Sequence, residues 1–545
     1  MTETGERNLL TRWIFLRGMA LVWLAAFASL SVQVNGLFGL RGIEPVARLL
    51  QAAGNLSPAE RFFHAPTLLW VFGASDHVLR EMCGTGVLLS VLLGLGFAPG
   101  PICLALWALY LSFVTVGSPF LDFQWDLLLL EAGLCACVMA PWRLRASGLL
   151  PERAPSAAAV WLPRFLLFKL VWMSGLVKIA SGDPTWRNLT ALQYHYWTTC
   201  LPTWSGWWMN RLPPEAHRIT AGIMFALELV ASFLVLAPRP ARVVGFFAML
   251  ALQLGIALTG NYGFFNLLTV VLCLAVLDDR DWLWLRRFAL GDRAAPMLTT
   301  TPAGASFMAP TRAESSGVPS SSPPPSAGPQ APPALPIHPR DVPAWALAAL
   351  IVLASLFHIQ GRFLGYEALP APALELLGTI EPFHSVNPYG LFATMTTRRP
   401  EIIIEGSRDG ETWIPYEFKW KPGDVKRRPE FMQPHMPRLD WQMWFAALES
   451  WPQNPWFASF LSRLLEGSPP VLKLLARDPF DGNSPRFVRA TLWEYRFADP
   501  ATRRATGAWW TRTKVGDYGP VLERPHQDEG LRTETHPENG DIRGT

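Results

Sequence analysis

Glu131 and Glu228 lie near the middle of long apolar runs, and Lys169 stands about two turns into another. Asp126 is about one turn into the run that holds Glu131. An ionisable side chain at the centre of a membrane helix costs about 2.5–3.5 kcal/mol on insertion scales, so each needs a partner or a wet cavity. Asp126, Glu131, Lys169, Lys178 and Glu228 therefore form a candidate intramembrane polar site. Glu131 and Lys169 fall at similar depth on adjacent helices, where they can pair. Lys178 points to the face opposite Lys169 and is close enough to the outer surface to snorkel. Three uses are open to such groups: pairing that fixes helix packing, lining a substrate or cofactor cavity, or carrying protons or ions. No pair of broken helices of the kind that builds transporter sites is evident.

Other chemistry finds little support. The ten His are scattered, with no HExxH and no His/Cys cluster at ligand spacing, so no metal is expected. His195 in "QYHYW" and His435 in "QPHMP" sit in loop-like segments. Cys135 and Cys137 lie within one membrane helix, where residues two apart face away from each other. Six Cys in 545 residues exclude a disulfide scaffold. There is no Walker loop, GxGxxG or GxSxG, hence no cofactor and no catalytic residue to name. Sequon-type triplets occur at Asn55 and Asn188. A net charge of +4 gives no sign of a nucleic-acid partner.

The elements that position these groups follow from composition. Half of the residues are apolar and 17% are charged, against about 25% charged in soluble domains. The shortfall is concentrated in stretches of about 17–22 residues, the length that spans a hydrocarbon core. The fold class is an α-helical polytopic membrane protein with a C-terminal β-rich soluble α+β domain. Nine spans are expected, near 13–34, 78–97, 101–117, 121–140, 163–180, 219–237, 241–258, 262–278 and 342–358. The first is read as an uncleaved span rather than a signal peptide. Segments 42–76 and 184–211 read as re-entrant or interfacial.

The bundle is expected over 1–288, a Pro/Ser-rich disordered linker over 289–341, the ninth helix over 342–358, the C-terminal domain over 359–519 and a disordered tail over 520–545. Arg143, Arg145, Arg153, Arg239, Arg242, Arg280, Arg286 and Arg287 place the N-terminus in the cytoplasm and the C-terminal domain on the far side. In that domain "PEIIIEGSRDG" and "TWIPYEFKW" flank a hairpin signal at Asp409-Gly410. "FVRATLWEYRF" and "GAWWTRTKV" alternate as strands do, while 438–449 and 455–477 have helical spacing.

Several long segments together resemble the lipase maturation factor family: "FQWDLLLLEAG" (123–133), "FKLVWMSGLVKIASGDPTWRNLTALQYHY" (168–196), "TGNYGFFNLLT" (259–269), "NPYGLFATMTTRRPEIIIEGSRDG" (387–410) and "MPRLDWQMWFAAL" (436–448). The resemblance implies a multi-pass membrane protein, of the endoplasmic reticulum in animals, that assists folding and assembly of secreted lipases, notably dimeric ones, through a lumenal domain. It implies client proteins and the bilayer as partners, and supplies no catalytic residues. After "YHY" the family's Glu-Thr-Gln-Pro-type continuation is replaced by Trp197-Thr-Thr-Cys200-Leu-Pro. The Ala/Arg/Pro-rich composition leans toward a bacterial source, for which the membrane is the inner one.

A client-binding surface is expected from Asp183, Trp186, Arg187, Tyr194 and His195 in the outside loop. In the domain it would use Trp413, Lys419, Trp420, Lys421, Arg427, Arg428, Trp441 and Trp444. The alternative is packing of these aromatics in the domain core or on the bilayer. A rival architecture is that of the vitamin K-dependent carboxylase group, in which Lys169, Lys178 or Glu131 would serve as an acid–base group toward a lipid or quinone-type substrate.

Overall fold

The computed structural model describes residues 8–144 except 53, 55 and 56, then 153–290 and 339–524. Most of the 289–341 linker and of the 520–545 tail, together with Asn55 and Arg145, lies outside the described residues.

In chain order the bundle helices are α1 (Leu9–Ser31), α2 (Asp76–Leu95), α3 (Pro99–Val116), α4 (Gln124–Met139), α5 (Ala157–Ala180), α6 (Pro214–Leu234), α7 (Arg239–Thr259), α8 (Phe265–Leu274) and α9 (Val342–Leu364). Among the described residues, seven helices are long and apolar enough to cross a membrane, and the chain is a polytopic helical membrane protein. The two expected spans that fall short are α4, with 16 residues, and α8, with 10. At 1.5 Å per residue they rise about 24 and 15 Å, less than a hydrocarbon core of about 30 Å. α9 runs six residues past its expected end at 358.

Local sequence explains where the helices start and how closely they pack. Ser75 Oγ accepts from Val78 N to cap α2, and Ser156 Oγ accepts from Ala159 N to cap α5. Gly86 of α2 lies against Phe27 of α1, where a Cβ would come within 2.5 Å of the ring. At one end of the bundle Thr11 N donates to Asp279 at 2.9 Å, Arg164 pairs with Asp278 at 2.8 Å, and Arg239 pairs with Asp281 at 2.7 Å. Arg242 shares the Asp278 carboxylate. The opposite end carries the C-terminal domain. The interfacial segments form short helices, among them Pro58–His64, Leu192–Thr198 and Trp204–Met209.

The domain is an antiparallel sheet of β1 (Pro400–Ser407), β2 (Ile414–Pro415), β3 (Phe487–Phe497), β4 (Trp510–Asp517) and β5 (Leu522–Glu523). Its order is β2-β1-β3-β4, with β5 also on β3. Helices α10 (Arg438–Leu448) and α11 (Pro455–Leu465) are inserted between β2 and β3. The β1–β2 hairpin turns where Asp409 Oδ1 accepts from Thr412 N at 2.8 Å and Glu411 N at 2.9 Å, hydrogen bonds that hold its carboxyl below the ordinary range. The helix expected over 455–477 breaks at Gly467, which has φ 62°, and a short turn Pro469–Leu472 follows. "TWIPYEFKW" contributes only the two strand residues of β2.

The domain is not a detached globule. Bundle residues such as Phe38, Phe120 and Trp125 share one continuous core with Trp441, Trp456 and Phe460 of the domain.

Candidate functional site

Three acids of the bundle helices, Glu131, Glu228 and Asp126, sit in buried ion pairs. Lys169 on α5 donates to Glu131 on α4, and to Ser355 Oγ on α9 at 3.2 Å. The other Glu131 oxygen accepts from Tyr389 OH at 2.7 Å and Asn387 N at 3.3 Å, both from the strap between α9 and the sheet. Lys178 does not snorkel. Its Nζ lies 2.9 Å from both carboxylate oxygens of Glu228 on α6, because the chain turns there in a π-helix, Leu227–Ala231. Gly175, one turn before Lys178, leaves room for that turn; a Cβ on it would sit 2.9 Å from Glu228 Cβ. Such π-turns concentrate at functional sites.

The third pair joins the domain to the bundle. Asp126 accepts two hydrogen bonds from Arg438 of α10, at 2.5 and 2.7 Å, and one from Tyr110 OH at 2.5 Å. This bidentate geometry is the strong form of the Arg–carboxylate pair. Arg438 is 1% exposed and Asp126 fully buried, so neither charge is solvated by anything except the other and its polar neighbours. Arg438 was not among the sequence-predicted site residues, nor were Tyr110, Tyr389 and Arg399. The available signal was Arg438 at the head of the Trp-rich helical segment "MPRLDWQMWFAAL", beside Asp440 and Gln442.

Around this pair the domain is bolted to the bundle by polar contacts. Gln33 Nε2 donates to Met436 O at 2.9 Å, and Asn261 Nδ2 to Glu430 O at 2.7 Å. Trp207 Nε1 donates to Ala498 O at 3.0 Å. Arg399 reaches the carbonyls of Trp197, Thr199 and Cys200 while pairing with Glu401 at 2.7 Å. The Trp197–Cys200 loop is thus held to the domain through its backbone carbonyls. His435 contacts Ser29 Oγ at 2.9 Å; burial first, then the Lys419 and Arg438 charges, push its pKa down to about 4, so it sits at the seam as a neutral ring. His195 lies 3.1 Å from Tyr262 OH and is likewise lowered to about 4, by burial and then Lys178.

The expected client surface is not one exposed patch. Trp441 and Trp444 are buried in the seam, Trp441 edge-on to Trp125 with ring centroids 4.7 Å apart and Trp444 Nε1 donating to Thr198 O at 2.9 Å. Trp186 is buried, and its Nε1 donates to Phe392 O at 2.9 Å. Asp183 accepts from Met395 N at 2.6 Å and caps a turn through Thr185; burial opposes ionisation, but these hydrogen bonds leave its pKa below the ordinary value. Tyr194 is half-buried against Trp186 and Met395. Lys421 is buried against Glu401 at 3.0 Å, and Trp420 is half-buried beside His435. Arg427 donates to Phe418 O at 2.5 Å, Trp413 lies under Arg489 at 4.1 Å, and Lys419 donates to Lys473 O. Arg187 and Arg428 are exposed. Of these aromatic residues Trp186, Trp441 and Trp444 are buried, and Trp441 and Trp444 pack in the seam.

Beneath the seam lies a cavity of about 770 Å³ between α5, α6 and α7. Its wall is mainly apolar and includes the Lys178–Glu228 pair, His195 and Tyr262. Lys169 and Glu131 are not on the wall. Among the described residues no group of three or more His, Cys, Asp and Glu could hold a metal ion.

The sequence matches the family model of the Lipase maturation factor transmembrane domain over residues 10–284, and that of the Lipase maturation factor C-terminal domain over 385–520. It is 35% identical to Lipase maturation factor 2 of Mus musculus, covering 96% of this chain and 86% of that protein. Identity to the Homo sapiens protein of the same name is 34%, over 97% and 86% of the two chains. Lipase maturation factor 1 of Bos taurus is 33% identical, over 94% and 89%. No solved structure matches. With both regions and nearly the whole length accounted for, the chain belongs to the lipase maturation factor family.

Proposed function

We propose that this protein is a membrane-bound maturation factor that assists secreted lipases, or similar exported proteins, to fold and assemble, and that it does so without catalysis of its own. The observation that carries the reading is the family match over both the bundle and the C-terminal domain. The N-terminus faces the cytoplasm and the domain faces the lumen of the endoplasmic reticulum, or the periplasm if the membrane is bacterial. Arg153, Arg164, Arg239 and Arg242 at the α1-start end of the bundle favour this orientation.

The domain offers clients its outermost strand. β4 is the sheet edge, and Thr511 to Val515 are exposed along it. An extended client segment can add to such an edge through backbone hydrogen bonds. Deleting the protein and measuring secreted lipase activity beside lipase polypeptide tests the reading. Activity should fall while polypeptide persists. Unchanged activity per polypeptide, with an altered lipid or quinone profile, would reject it in favour of an enzyme.

A further inference from the structure

The cavity under the seam is within the range of about 300–1,000 Å³ typical of ligand-holding pockets. Its entrance follows from the way α6 and α7 diverge. Near their hairpin the two helices touch, with Gly245 of α7 close against Leu234. On the other side of the π-turn at Leu227–Ala231, α6 packs instead on the short helix Leu192–Thr198, through Ala221 against Leu192 and Tyr196. π-bulges are among the few identifiable causes of a helix changing direction. The cleft left between α6 and α7 is part of the cavity, with Ile223 exposed on one lip and Gly255 on the other. A Cβ added to Gly255 would meet nothing within 4 Å, so this lip borders open space. Thr259, the last residue of α7, lines the same cavity, so the cleft reaches the end of the helix.

Three observations select the occupant. The lips are continuous with the lipid-facing surface, because Ile219 on α6 and Leu254 and Leu258 on α7 are exposed beside them. The wall is mainly apolar, and apolar cavities stay dry but accept apolar guests. The polar groups on it are engaged within the protein: Lys178 with Glu228, Gln253 with Asn266, and His195 with Tyr262. Lys178 is the one Lys or Arg on the described wall, so no free cation waits there for an anionic group.

We infer that this cavity takes up one hydrocarbon chain of a membrane lipid, which slips in sideways between α6 and α7 while its headgroup stays at the bilayer surface. The apolar wall alone recognises the chain, so ester-linked and ether-linked chains serve equally. The inference goes beyond the maturation role, since it concerns a ligand of the bundle, whatever the domain does for clients.

The test uses the full chain in phosphatidylcholine nanodiscs doped with a phosphatidylcholine that carries a diazirine near the end of one acyl chain. Irradiation should label Val171, Phe265 and Phe392 inside the cavity as well as the lipid-facing Val230 and Val244, as read by peptide mass spectrometry. Gly255→Trp fills the lip without displacing a neighbour. It should cut the interior labelling by about tenfold or more and leave the exterior labelling unchanged, because close-packed space admits no second occupant. A diether version of the probe should label the interior as well as the diester does. Labelling confined to the exterior of the wild-type chain, interior labelling that survives G255W, or a diether probe that reaches only the exterior would each overturn the inference. The wild-type comparison needs no variant, so misfolding of a substituted chain leaves it decisive.

Discussion

Arg438 shows how a single side chain can decide the attachment of a domain. It is anchored in α10, yet its guanidinium meets an acid on α4. Replacing Arg438 with Met strands the Asp126 charge in a dry site, and loss of one partner of a buried pair typically costs about 3–5 kcal/mol. R438M should therefore lower the melting temperature of the purified protein sharply, and R438M with D126N should recover most of the loss. Equal damage from the single and double variants would mean the pair carries no coupling. At this scale the sequence was partly legible. The intramembrane acids and lysines stood out because charge is rare in apolar runs, but Lys178 and Glu228 were not matched to each other. Spacing along one helix gives a direction, while the partner depends on which helix the fold places opposite. The tryptophans stayed open for a related reason: the same ring suits an interface with lipid, a client or the protein itself, and composition does not distinguish them.

Among the elements, α6 departs furthest from regular geometry. Its π-turn rests against Gly175, the position on α5 with no side chain to obstruct it. Gly175→Val should push α6 away and separate Lys178 from Glu228, with a loss of about 1–3 kcal/mol from overpacking. Thermal unfolding of the variant measures this; an unchanged midpoint would show that the π-turn tolerates displacement. The strands β1, β3 and β4 were readable because alternation and a turn signal coincide. β2 was overestimated, since Tyr416 and Phe418 are buried and apolar enough to mimic a longer strand. α4 and α8 were overestimated in length for a similar reason. Apolar residues such as Phe120, Leu121 and Phe264 continue the pattern beyond the helix ends while packing in turns.

For the whole molecule, the bundle and the domain work as one body with a polar cluster at one end and the sheet at the other. Reporter fusions after position 410 and within the Pro/Ser-rich stretch near 315 should report opposite sides of the membrane, with only the first on the far side from the cytoplasm. The same side for both would overturn the orientation proposed for the domain. Family and architecture could be read from long compositionally odd segments, which also form the seam: 123–133, 259–269 and 436–448 meet there. What sequence did not convey is that these segments touch one another, because contact across hundreds of residues leaves no local periodicity.

The Asp126–Arg438 pair joins positions 312 apart in the chain. During synthesis, then, the acid is made long before its cation, and the pair can close only once the chain has been completed through Arg438. A chain that stops short of Arg438 leaves the Asp126 carboxylate without its cation.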